Sequence, residues 1–157
     1  MARTFAIWVA TTAGVLAADR AQVLAFCRRA SEEFWGGASV VTGWANRDIL
    51  AHLAGGNDQV LQHTLRAVTS GETPDAEVLE ADTDAENERR IEARRRWSIA
   101  ELIAELERDG DEVQHLLARL TDQDEHVSWG TPSRTLAGLL RGVRLEGAPR
   151  PEPSRTT

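Results

Sequence analysis

The sequence predicts an all-α fold: a four-helix bundle with a long crossover loop and a truncated last helix. Apolar residues recur at steps of three and four over long stretches, which is the period of a helix that packs on one side. Strands have little support, because alternation is never sustained and the β-rich patch 39–42 is short. The segment 72–86 carries acids and no bases, with Pro74 inside, and this predicts the crossover loop.

The first predicted helix runs from about Leu16 to Trp35 and ends at the glycine pair 36–37. Residues 1–15 before it are apolar after one arginine, so they fit a secretory signal or an extension packed on the helix. They are too few to span a bilayer. The run continues into the helix without a polar break, which favours the extension.

The second predicted helix spans Asn46 to Ser70, with Gly71 as its stop. Asn46 is predicted to cap it. His52 lies on its apolar side, and a histidine turned inward on a bundle helix can bind a metal. The apolar side comprises Ile49, Leu50, Leu53, Val60, Leu61, Leu65 and Val68.

Further candidate site residues follow from His52. Asp48 lies one turn before it, as a second ligand or as a carboxylate that orients the imidazole. Gly55 and Gly56 lie one turn after it and leave room beside the ring for a ligand or a neighbouring helix. His126, in a polar loop, is the remaining candidate ligand, although a loop histidine among acids is usually at the surface.

The other histidines and the cysteine favour structural roles. His63 is eleven positions from His52, roughly 16 Å along a helix, so the two cannot share a metal and His63 is predicted at the surface. His115 falls with Glu105 on the polar side of its helix and is predicted to be solvated. Cys27 is predicted to be a small buried hydrophobe.

The second half of the bundle follows the same patterns. A third helix is predicted from Asp84 to Trp97, and its run ERRIEARRR is typical of a solvated helix face. Ser98 is predicted to cap a fourth helix that ends at Leu120, with Gly110 as a weak point.

A last helix is predicted to begin at the pair 131–132 and to lose its pattern after Gly142. Residues 16–142 thus form the predicted bundle domain, and 143–157 form a Pro-rich tail expected to be disordered.

Charge and cysteine content exclude several classes of protein. The net charge of −7 and the pI near 5.1 argue against a general nucleic-acid or anionic-membrane binder. A single cysteine rules out an internal disulfide and fits a reducing compartment, so a cytoplasmic location is predicted.

Several segments taken together resemble a known superfamily. They are GW followed by RDILAHLAG, a GE-P loop, DTDAEN, and SIAELIAELERDGDEVQHLLARL. Their combination resembles the DinB-like four-helix bundles, and within them the mycothiol-dependent maleylpyruvate isomerase N-terminal type. The resemblance covers about Leu16 to Arg141.

The resemblance implies a divalent metal, zinc or nickel, held by three side chains: a histidine at the position of His52 and an H-x-x-x-H or E-x-x-x-H pair in the last helix. It also implies a thiol cofactor, or water activated on the metal, acting on a small electrophilic substrate. The chain departs from this pattern, since it has no histidine after His126. Glu146 is the only acid near the expected place, and Arg150 stands four residues on.

Two functions follow as alternatives. The first is a metal-dependent, thiol-cofactor transferase, isomerase or hydrolase in which His52 is a ligand, with Asp48 and His126 as further candidates. The second is a non-catalytic bundle that binds a small molecule or a partner protein. A shortened last helix would leave an apolar groove, which favours a homodimer.

Overall fold

The computed structural model describes residues 4–75, 84–127 and 135–145. Its helices, in chain order, are α1 (Phe5–Arg29), α2 (Glu32–Gly36), α3 (Asn46–Gly55), α4 (Asn57–Thr69), α5 (Asp84–Ala93), α6 (Ile99–Leu117), the short 3-10 helix Asp122–Asp124, and α7 (Leu136–Leu145). An isolated bridge-type pairing joins Ala38 to Ala45. The predicted all-α bundle is confirmed.

Side-chain caps determine where several helices begin. The Ser31 hydroxyl accepts from the Phe34 N–H at 3.1 Å, which starts α2 and ends the predicted first helix early, at Arg29. At the start of α6 the Ser98 hydroxyl accepts from the Glu101 N–H, and the Glu101 carboxylate accepts from the Ser98 N–H at 2.6 Å. These hydrogen bonds lower the pKa of the exposed Glu101 carboxyl. The predicted Ser98 cap is therefore confirmed.

Further helix boundaries differ from the prediction. α1 begins at Phe5, eleven residues before the predicted start, because Phe5 and Val9 are buried in the core. The predicted second helix is divided into α3 and α4 at Gly56, whose backbone (φ −104°, ψ −115°) is not helical. α5 ends at Ala93 rather than at Trp97. Apolar periodicity locates the buried faces, but it does not record a local break.

Gly110 is not a weak point. α6 runs through it without interruption. A Cβ atom at this position would lie 2.3 Å from both Cδ and Nε of Arg20 on α1, and Arg20 Nη1 donates to the Leu106 carbonyl at 3.3 Å. The glycine therefore admits the arginine side chain between α1 and α6.

α6 is the central helix, since α1, α3 and α4 all pack against it, while α7 packs on α1. The core around α6 consists of two clusters. The first core cluster comprises Phe5, Val9, Leu61, Leu65, Val68, Val113, Leu116, Leu117, Leu120, Leu136, Ala137 and Leu140. The second core cluster comprises Leu24, Cys27, Trp35, Leu50, Ala51, Ala54, Ile91, Leu102 and Leu106.

Several expectations lie outside the described residues. These are the crossover at 76–83, the start of the last helix at 131–132, and the tail from 146 onward. The last helix is described as far as Leu145, three residues beyond the point where its pattern was predicted to fail. Within the described ranges, no helix has the length and apolar character needed to cross a membrane.

Candidate functional site

His52 lies on α3, half-buried beside an aromatic side chain. Its ring stands 5.6 Å from the ring of Trp44, centroid to centroid, at an angle of 50°. Trp44 packs against the second core cluster, and its Nε1 donates to Glu88 Oε1 of α5 at 2.8 Å. The histidine is therefore positioned beside an indole that is tied to the neighbouring helix.

Asp48, one turn before His52, caps α3. Its Oδ2 accepts from the Ala45 N–H at 2.9 Å. Asn46, the predicted cap, does not cap the helix: its Nδ2 donates to the Phe34 carbonyl of α2 at 2.8 Å. The favourable position of Asp48 near the positive end of the helix explains why the carboxylate takes this role.

The space beside His52 at the glycine pair is occupied by a neighbouring helix. Gly55 and Gly56 share a face of the chain with His52, and Arg94, just after α5, packs against Gly55. A Cβ atom on Gly55 would lie 2.5 Å from Arg94 Nη1, and one on Gly56 would lie 3.8 Å from Arg90 Nη1. Of the two occupants predicted for this space, a ligand or a helix, the structure shows the helix.

Arg94 belongs to a layer of polar side chains that lies between the two core clusters and is buried except for Gln59, which is exposed at its edge. Arg94 Nε and Nη2 each donate to one oxygen of Glu105 at 2.6 Å. Gln59 Nε2 donates to Glu105 at 2.9 Å and to Asp109 at 3.3 Å, and Gln62 Nε2 donates to the Asp109 carbonyl at 3.1 Å. We call these five residues, Gln59, Gln62, Arg94, Glu105 and Asp109, the polar layer. It connects α4 and α6 with the end of α5.

The polar layer corrects two sequence predictions. The run ERRIEARRR was predicted to be a solvated face, yet Arg90 and Arg94 are each only 9% exposed. Glu105 was assigned to the polar side of its helix, yet it is 3% exposed. Pairing with Glu105 raises the pKa of the Arg94 guanidinium above its ordinary value, so this side chain stays a cation at neutral pH.

The described residues do not fit the three-ligand metal that the family resemblance implies. They contain no group of three histidine, cysteine, aspartate or glutamate side chains placed to hold a metal ion. The last helix, LAGLLRGVRL, carries none of these residue types.

The remaining candidates lie away from His52. His126 is exposed and follows the 3-10 helix, next to Val127, which packs on the first core cluster. Its Nε2 is 3.9 Å from the Glu125 carboxylate. His63 and His115 are exposed, as predicted. Cys27 is buried, as predicted, and burial raises the pKa of its thiol above the ordinary value.

Replacing Gly55 tests the contact between α3 and Arg94. We expect Gly55→Ala to lower the free energy of unfolding by about 1–3 kcal/mol, because the added methyl forces a tightly bonded guanidinium to move. Gly14→Ala is the matched control, since a Cβ at Gly14 meets nothing within 4 Å, and alanine there should stabilise α1 by up to about 1 kcal/mol. Urea unfolding of both variants measures the difference. An equal change in unfolding free energy for the two variants would show that Arg94 moves aside without a loss of stability.

The fold and the position of His52 together define the class of protein. It is a helical bundle of the DinB-like type, with a histidine on a helix that borders a polar interior. The family model described as the mycothiol maleylpyruvate isomerase N-terminal domain matches residues 16–146. The chain belongs to this family. No curated relative and no solved structure matches it.

Proposed function

We propose that this domain works with a small thiol cofactor on a small electrophilic substrate, as a transferase, isomerase or hydrolase of the mycothiol-dependent type. The observation that carries the proposal is the family match over residues 16–146, which includes His52. The family name refers to mycothiol, so a thiol of this kind is the cofactor to test first.

The proposed binding position is the surface formed by His52 and Trp44. The indole offers an apolar face, and the imidazole can exchange a hydrogen bond with a thiol or a hydroxyl of the cofactor. The metal site of this domain is proposed to be incomplete, because among the described residues His52 has no set of partner ligands. The proposal therefore assigns His52 a binding role that does not require a metal.

Calorimetric titration with mycothiol tests this assignment. We expect the wild type to bind mycothiol and His52→Ala to bind at least about ten-fold more weakly, which corresponds to about 1.4 kcal/mol for a lost hydrogen bond. His63→Ala, which removes an exposed histidine from α4, should bind like the wild type. Zinc and nickel, measured by mass spectrometry in the same samples, should be far below one ion per chain.

Two results would count against the proposal. Absence of mycothiol binding to the wild type would remove the thiol function. Stoichiometric zinc or nickel that is lost in His52→Ala would show a complete metal site at His52, with its other ligands supplied by residues outside the described ranges.

A second candidate function is a non-catalytic bundle that binds a small molecule or a partner protein. Arg94 favours it, because this side chain packs against Gly55, one turn after His52, where a ligand was one of the two predicted occupants. A homodimer and a cytoplasmic location are further proposals. The homodimer accords with the exposure of Ile7 and Phe26, which are about half exposed on α1 (54% and 48%).

A further inference from the structure

The Arg94 guanidinium makes hydrogen bonds along its edges and a cation–π contact through its face. Nε and Nη2 bind the two oxygens of Glu105, and Nη1 donates to the Arg90 carbonyl at 3.1 Å. Its Cζ also lies 5.3 Å from the centroid of the Trp97 ring, within the range of a cation–π contact. This set of partners suits the planar, forked guanidinium of arginine. The ammonium group of a lysine would satisfy only some of these partners.

The position of the guanidinium is also shaped by the chain around it. Gly55 supplies the space, because any side chain there would overlap Arg94. The side chains of Arg94 and Glu105 are 10% and 4% exposed, so water screens their interaction very little. The result is a cation held at a fixed point inside the bundle.

Arg94 balances buried negative charge. Glu105 and Asp109 lie one turn apart on α6, and they are 3% and 7% exposed. Inward carboxylates on bundle helices are also groups that can hold metal ions. Here Gln59 joins the two carboxylates by hydrogen bonds, the Arg94 guanidinium pairs with Glu105, and Arg108 Nε lies 3.7 Å from Asp109 Oδ1.

We infer that Arg94, rather than a metal ion, is the cation that balances buried Glu105 and joins the end of α5 to α6. On this inference the folded domain does not need a metal. This role of Arg94 in stabilising the interior does not depend on the thiol function proposed above. Either claim can be wrong while the other is correct.

Thermal unfolding of the full chain tests the inference. A chelator, or added zinc or nickel, should leave the melting temperature of the wild type unchanged. Arg94→Ala should lower it by roughly 6–20 °C, because the buried Glu105 carboxylate loses its cation. Arg95→Ala is the matched control: Arg95 is the next residue, pairs with Glu92 and has a side chain that is 63% exposed, so its melting temperature should stay close to that of the wild type.

Chemical rescue separates the charge of Arg94 from its packing. Guanidinium chloride, at concentrations far below the molar range that unfolds domains, should raise the melting temperature of Arg94→Ala. Sodium chloride at the same concentration should not. Neither salt should stabilise the wild type or Arg95→Ala.

A double variant keeps the test decisive if Arg94→Ala does not fold. Arg94→Met combined with Glu105→Leu removes both charges and keeps the side-chain volume. Its melting temperature should be higher than that of Arg94→Met or Glu105→Leu alone, and guanidinium chloride should not raise it. A wild type destabilised by the chelator would overturn the inference. So would an Arg94→Ala variant as stable as Arg95→Ala, or a double variant no more stable than the weaker single one.

Discussion

Glu105→Ala is expected to lower the free energy of unfolding by about 3–5 kcal/mol, which is the usual cost of leaving a buried charge without its partner. The variant leaves the Arg94 guanidinium in the interior with neither of its carboxylate hydrogen bonds. Gln59 also loses one of its two acceptors. Urea unfolding followed by circular dichroism gives the free energy directly.

Glu107→Ala is the control for this prediction. Glu107 is on the same helix and pairs with Arg28 at 3.0 Å, but its side chain is 49% exposed. An exposed pair of this kind contributes at most about 1 kcal/mol. Similar losses in the two variants would mean that burial of the Arg94–Glu105 pair has no energetic consequence.

Leu140→Ala has the second large expected effect, a loss of about 2–5 kcal/mol, because it opens a cavity in the first core cluster. Leu140 is fully buried on α7, together with Leu136. α7 was predicted to be a truncated helix, and this variant measures how firmly it is packed. Chemical denaturation again supplies the measurement.

Leu139→Ala serves as the comparison, since the neighbouring leucine is only partly buried at the edge of the same cluster. Its truncation should cost about 1 kcal/mol. If Leu140→Ala costs no more than this, α7 does not contribute to the core in solution.

The sequence contained enough information to predict most of the fold. Period-three and period-four patterns located the buried sides of the long helices, and the pair Ser98 and Glu101 marked the start of α6 through a local hydrogen-bond pattern. Gly71 marked the end of α4 for a similar local reason, since its φ of 74° suits glycine just after a helix. Such signals lie within a few residues of one another, and this is why they can be read without a structure.

The polar layer could not be predicted, because its partners are far apart in the chain. Gln59 and Glu105 are separated by 46 positions in the sequence, and Arg94 and Glu105 are separated by 11. On its own, a helix rich in arginine and glutamate has the composition of a solvated face. The one available signal was the pair of small residues at Gly55 and Gly56, which indicated that something must approach α3 closely.

His52 illustrates a different limit. Its helical position and its resemblance to a family ligand were clear from the sequence, and the family is confirmed. Whether other side chains converge on it depends on the packing of several helices. Within the described residues they do not form a metal-binding group.

The polar layer also fixes the register of α6 against its neighbours. Leucine side chains above and below the layer could interdigitate in more than one way, since apolar contacts have no direction. A shift of α6 by one turn, about 5.4 Å, would place Glu101 or Asp109 where Glu105 now meets Arg94, but it would separate Gln59 and Gln62 from the acceptors that they have on α6. Directional hydrogen bonds from α4 and from the end of α5 therefore favour one alignment of the central helix.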